Sequence, residues 1–160
     1  MFELNDYVMH NLYGVLQITG FDEMEFDGIS EKYYVLKSVF AKNKSTIIKI
    51  PVNKIGFLSP IISRDESHEL IQKIKTVDTP WIPESKKRIQ YYETIITSND
   101  LEQLCGQLKN CYEKRDLLKL TTKDKEFVEQ AERIVFGELA ISLDIPYDSV
   151  VDYISGKIAK

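Results

Sequence analysis

The chain has 160 residues, 43% of them hydrophobic and 29% charged, with a net charge of −4. That length can bury a real core in one or two small domains, and the composition is globular rather than disordered. The acidic balance argues against broad nonspecific nucleic-acid binding, which needs a basic footprint to release counterions; a DNA contact must be local or supported by a partner.

No apolar run approaches a bilayer span, and the opening residues lack the basic and apolar regions of a signal peptide. The cytoplasm is the expected location, with no membrane partner. Cys105 and Cys111 fall in one predicted helix, six apart on different faces, so they cannot pair with each other there.

Phe2 to Ile18 reads as a strand pair broken at His10-Asn11-Leu12-Tyr13-Gly14, where Gly14 allows a positive φ. Asp22 to Gly28 reads as an acidic turn region with Asp27-Gly28 as its turn signal. Tyr33-Tyr34-Val35-Leu36 is a compact strand, Ala41 to Lys44 a polar turn, and Ser45 to Val52 the most β-prone segment. In that segment Thr46, Ile48 and Ile50 share one face, and Ile47 and Lys49 the other. Pro51 cannot donate to a ladder, so the strand ends there or lies at a sheet edge. Asn53 to Leu58 is one more short extended piece. Short strands in this number suggest a small SH3-like barrel.

From Asp65 the period becomes helical, with Leu70, Ile71 and Ile74 on one face. Lys75 to Pro80 breaks it. Ile89, Tyr92 and Ile96 mark the next helix. Asn99-Asp100 caps a helix striped by Leu101, Leu104, Cys105, Leu108, Cys111 and Tyr112. Thr121-Thr122-Lys123-Asp124 is a capping-box variant, with aspartate where glutamate would reach back better. Its helix carries Phe127, Val128, Ala131, Ile134, Val135 and Leu139, and Ile145-Pro146 starts a tail helix with Val150, Val151 and Ile154. The expected architecture is α+β: a β module over 1–60, a linker with a short helix over 61–84, and a helical domain over 85–160.

Catalytic equipment is sparse. His10 and His68 stand alone, no metal-ligand spacing occurs, and no glycine run fits a phosphate loop. No enzyme, cofactor or metal is expected; binding is the better class of function. Two stretches are candidates. Trp81, the only tryptophan, sits where strands give way to helices and is followed by Lys86, Lys87 and Arg88. It either plugs the seam between the β module and the helices or wedges a DNA base step while the cations hold phosphate. Ile47, Lys49 and Pro51 are either plain surface or an edge that accepts a partner strand.

The order of these segments resembles the CarD/CdnL family of bacterial transcription regulators, whose N-terminal part is shared with the RNA-polymerase-interacting domain of transcription-repair coupling factors. The resemblance is carried by Phe2 to Val15, Tyr33-Tyr34-Val35-Leu36, Ile48-Lys49-Ile50-Pro51-Val52, Trp81, Ser98-Asn99-Asp100-Leu101, and Leu120 to Asp124 followed by Ala131 to Ala140. It implies a Tudor-like barrel docking on the RNA polymerase β subunit, with Lys49 at a polymerase-facing basic position. It also implies a helical domain meeting promoter DNA near the upstream edge of the bubble, with Trp81 as wedge and Lys86, Lys87 and Arg88 beside it. Pro83 and Glu84 stand where the family has arginines, so the chain departs from the pattern at the DNA site itself. The alternative is a polymerase- or protein-binding adaptor without direct DNA contact.

Overall fold

A computed structural model describes residues 1–40, 46–54, 56–117 and 120–158. The turn expected at Ala41 to Lys44 lies outside the described residues. The chain forms two compact units, Met1–Ile61 and Ile62–Lys160.

The first unit is an antiparallel sheet of β1 (Tyr7–His10), β2 (Gly14–Phe26), β3 (Ile29–Ser38), β4 (Ile47–Pro51) and β5 (Leu58–Pro60), ordered β4-β3-β2-β1-β5. The described strands pair as an open sheet with β4 and β5 at its edges. The first turn is built by His10, whose Nδ1 accepts the Leu12 and Tyr13 amide N–H groups at 3.0 and 3.3 Å, while Gly14 sits at φ 77°. Burial lowers the pKa of His10, favouring the neutral ring whose nitrogen can accept. Asp27 and Gly28 both take positive φ, the geometry of a two-residue hairpin turn. The acidic residues before them are not turn, however. Asp22 to Phe26 continue β2, paired with β3 as far as Phe26 opposite Ile29. The last extended piece also lies later than expected, at Leu58–Pro60.

Val8, Leu16, Ile18, Tyr34, Leu36 and Ile50 form the core of this unit. Between Ile18 and Gly20 the register shifts, so β2 carries one extra residue, Thr19. Simple alternation from Leu16 and Ile18 would send Gly20, Asp22, Met24 and Phe26 to the core face. The bulge turns them to the outer face and puts Phe21 on the face of Tyr34, their rings 5.8 Å apart, although Phe21 stays exposed.

The second unit contains α1 (Arg64–Ile74), α2 (Ser85–Thr97), α3 (Leu101–Leu117), α4 (Thr122–Leu143), a 3₁₀ turn at Tyr147–Ser149 and α5 (Val150–Ile158). α1, expected within a linker, packs on α3, α4 and α5. A capping box formed by Ser63 and Glu66 starts it. Its Ser67 hydroxyl lies 2.6 Å from that of Ser142 on α4. α4 starts with the box of Thr121 and Asp124, so aspartate serves in place of glutamate. Asp100 accepts the Gln103 N–H at 3.1 Å and caps α3. Both cysteines are free and buried. On α5, Val150 is buried but Val151 is exposed, so only part of the expected stripe faces inward.

Glu138 on α4 is 1% exposed. One carboxylate oxygen accepts the Ile62 N–H at 3.0 Å, and the other has no hydrogen-bond partner among the described residues. Burial pushes this carboxyl up from 4.5 to about 7, against the opposing pull of the Ile62 N–H. The folded chain therefore holds a proton that the unfolded chain has released, and stability is lost as pH rises from about 4.5 through about 7. Denaturation midpoints across this range will fall in the wild type, and Glu138→Gln will flatten that slope.

Candidate functional site

The loop from Val77 to Pro83 is fastened to its surroundings at both ends. At its start, Lys109 on α3 donates to the Ile74 and Val77 carbonyls at 2.8 and 3.1 Å, closing the C-terminal end of α1. Asn110 donates to the Thr79 carbonyl at 2.7 Å. Thr79 is buried against Gly106, where an added Cβ would lie 2.6 Å from the threonine methyl. A side chain at position 106 would push the loop off the helix.

At its end the loop is held by Arg88. This residue is 5% exposed, and its guanidinium spends its donors inside the unit. It donates to Asp124 through Nε at 2.8 Å and Nη2 at 3.0 Å, and through Nη1 to the carbonyls of Ile82 at 2.9 Å and Pro83 at 3.2 Å. Asp124 also accepts the Tyr92 hydroxyl at 2.7 Å and the Thr121 N–H at 2.9 Å. Burial alone would raise the Asp124 pKa; Arg88, Tyr92 and Thr121 outweigh it and hold the carboxyl down to about 2. Tyr92 stacks on Phe127 with ring centroids 4.0 Å apart.

Trp81 rides on this assembly. It is half-buried, with the Arg88 guanidinium carbon 4.4 Å and the Lys114 ammonium 5.8 Å from its ring. Both partners belong to the helical unit. Lys86 and Lys87 are exposed, and Lys87 pairs with Glu84 at 3.4 Å. Of the three cations read as DNA-facing, Arg88 is thus a correction. It faces the core because the buried side of α2 runs through Arg88, Tyr92 and Ile95, one position away from the predicted Ile89, Tyr92 and Ile96 phase. Sequence reasoning also missed Asp124 as its counter-charge and Lys114 as a neighbour of Trp81. The Asp at the third position of α4 was visible as a cap, but nothing in the sequence pairs it with residue 88.

In the first unit β4 is an edge strand. Ile50 is buried, whereas Ile47 and Lys49 are exposed and Pro51 is half-buried. Lys49 reaches across β3 to Asp22 on β2, with 2.6 Å between Nζ and the carboxylate. The reach crosses Val35, Lys49's partner on β3, toward Gly20, which has no side chain in the way. Asp22 is on this face only because of the Thr19 bulge, and the Lys49 hydrogen bond lowers its pKa.

Comparison with known proteins adds to this geometry. Residues 2–62 match the family model of the CarD-like/TRCF RID domain. This segment belongs to that family of RNA-polymerase-interacting domains. The RID segment coincides with the five-stranded sheet and contains Ile47, Lys49 and Pro51. A curated protein, cobyrinate a,c-diamide synthase of Caldanaerobacter subterraneus subsp. tengcongensis, is 27% identical over 109 residues, 64% of this chain. The match spans 24% of that protein's length.

Among the described residues no group of three metal-binding side chains comes together, and no helix is long and apolar enough to cross a membrane. An apolar cavity of about 260 Å³ in the helical unit is lined by Ile74, Leu108, Phe136 and Ile154, with Cys105 and Lys109. Burial pushes the Cys105 thiol up to about 12, and Lys109 is committed to backbone carbonyls. The cavity offers no activated nucleophile.

Arg88→Met will cost ~3–5 kcal/mol in urea unfolding, because it strands a buried carboxylate and frees two loop carbonyls. Trp81 fluorescence of the folded variant will shift to the red as its loop loosens. In the wild type the contribution of Asp124 is present above its unfolded value of 3.8 and is lost as pH falls through about 2. The variant will lack that acid-side loss.

Proposed function

We propose that this chain is a non-enzymatic transcription regulator that tethers to the β subunit of bacterial RNA polymerase and touches promoter DNA through Trp81. The observation that carries the reading is the coincidence of the RID family match with a sheet whose β4 edge is exposed at Ile47 and Lys49. In this reading the sheet is the working part of a Tudor-like module over 1–60. β4 accepts a strand from polymerase, with main-chain bonds for affinity and Ile47, Lys49 and Pro51 for specificity. Residues 61–84 and 85–160 together present the DNA contact at the upstream edge of the bubble.

Trp81 is held by a fastened loop with the Lys114 ammonium 5.8 Å from its ring, and Lys86 and Lys87 stand exposed in the first turn of the helix that follows, which supports a wedge accompanied by cations. Lys87 is paired with Glu84, whose carboxylate repels phosphate, so DNA affinity is low without polymerase, and tethering supplies the effective concentration. A second reading is favoured by one observation, the packing of the Trp81 ring against Arg88 at 4.4 Å and Lys114 at 5.8 Å. In that reading Trp81 is structural and the helical unit binds another protein, leaving an adaptor without direct DNA contact.

Purified polymerase β subunit will retain the chain, and Ile47→Asp or Lys49→Glu will weaken retention without unfolding the protein; a wild type that is not retained defeats both readings. Trp81→Ala, with the helical unit verified as folded by circular dichroism, will shorten open-complex lifetime on a linear promoter. An unchanged lifetime with polymerase binding intact selects the adaptor.

A further inference from the structure

The hairpin of β2 and β3 is acidic toward its tip. Asp22, Glu23, Glu25, Asp27 and Glu31 stand against Lys32 and Lys37, and Asp22 is paired with Lys49 from β4. The same hairpin carries two large apolar side chains in water. Phe26 and Ile29 are opposite each other across the Asp27-Gly28 turn and are 62% and 72% exposed. Aromatic and β-branched side chains paired at a hairpin tip lose apolar surface to nothing in this unit; they are placed to lose it to something else.

Two further observations give that surface direction. The Thr19 bulge sets Met24 and Phe26 on the outer face, shared by Tyr33 and, through β3, by Pro51 and Ile47 of the edge strand. An apolar stripe therefore runs from the hairpin tip through Met24 and Tyr33 to Pro51 of β4, where the Lys49–Asp22 ion pair separates it from Ile47. β4 also stops short of the tip. It pairs with β3 from Tyr33 to Lys37, with Val52 N–H adding a bond to the Lys32 carbonyl, so Ile29 to Glu31 have no strand on that side among the described residues. The result is a notch: free strand edge, two apolar anchors and a surround of carboxylates.

We propose that this hairpin is a second anchor for the polymerase partner, and that it takes a basic segment carrying apolar side chains. Phe26 and Ile29 are the anchors, and Glu25, Asp27 and Glu31 select cations over anions. The inference rests on polymerase being the partner at β4, since the stripe is continuous with that edge. It goes beyond that reading by fixing the sign of the charge on the partner and by extending the contact past β4.

The test is surface-immobilised binding of purified bacterial RNA polymerase to the full chain at low and high salt. Phe26→Ser with Ile29→Ser removes the anchors at exposed sites, and circular dichroism verifies that the sheet is kept. Glu25→Lys with Glu31→Lys reverses the surround, and Ile47→Asp reports on the β4 edge separately. The proposal expects the anchor pair to weaken binding by about tenfold or more, as truncation of interface anchors does. It expects the charge-reversed pair to weaken binding most at low salt. If Ile47→Asp weakens binding and the anchor pair does not, the hairpin is overturned while the polymerase reading stands. If the charge reversal tightens binding, the partner is acidic there and the stated chemistry is overturned. If the wild type does not bind polymerase, the β4 reading fails and this inference falls with it.

Discussion

The helical unit depends on a buried ion pair, Arg88 with Asp124. Neither side chain is more than 6% exposed, and each would be costly to bury alone. What makes the pair tolerable is that nearly every donor and acceptor has a second duty. Asp124 is at once the capping-box partner of Thr121 at the start of α4, the acceptor for Tyr92 and the counter-charge of α2. Arg88 is at once the partner of Asp124, the clamp on the Ile82 and Pro83 carbonyls and the surface under Trp81. One interaction joins α2, α4 and the tryptophan loop. A loop with two prolines and no secondary structure thereby becomes a fixed mount, and a fixed mount is what an inserted side chain needs if it is to act on a stacked base pair.

In the β unit a single extra residue has a comparable reach. Thr19 resets the alternation of β2, and with it the face on which Asp22, Met24 and Phe26 stand. The Lys49–Asp22 ion pair and the apolar stripe on the outer face both follow from that shift. Exposed as it is, the ion pair adds little stability. Its effect is positional: it lays the Lys49 side chain flat along the sheet beside the edge that a partner strand would use.

Much of the fold could be read from residue types. Asp27-Gly28 specified its turn because both residues tolerate positive φ, and Gly14 did likewise. The alternation of Ile47 to Pro51 assigned faces to β4 correctly, since Ile50 is buried and Ile47 is not. The stripe of Leu104, Cys105, Leu108 and Cys111 is the buried face of α3. Asp22 to Phe26 misled, because a run of carboxylates resembles a loop when its strand partner is unseen. Cross-strand neighbours such as Lys32 opposite Glu23 supply what local propensity withholds.

The sequence by itself determined the α+β division, the turns at Gly14 and Asp27-Gly28, the caps of α3 and α4 and the motifs of residues 2–62 that match the RID family. These are local or collinear properties, set by one residue's φ, by a period of two or 3.6, or by motifs in series. Only the tertiary structure decided which cation near Trp81 is free to meet a ligand. Arg88 and Asp124 are 36 residues apart, and their pairing is a property of how α2 packs on α4. Charge and spacing made Lys86, Lys87 and Arg88 look alike. Packing sent one of them into the core to hold the tryptophan loop and left the other two in solvent.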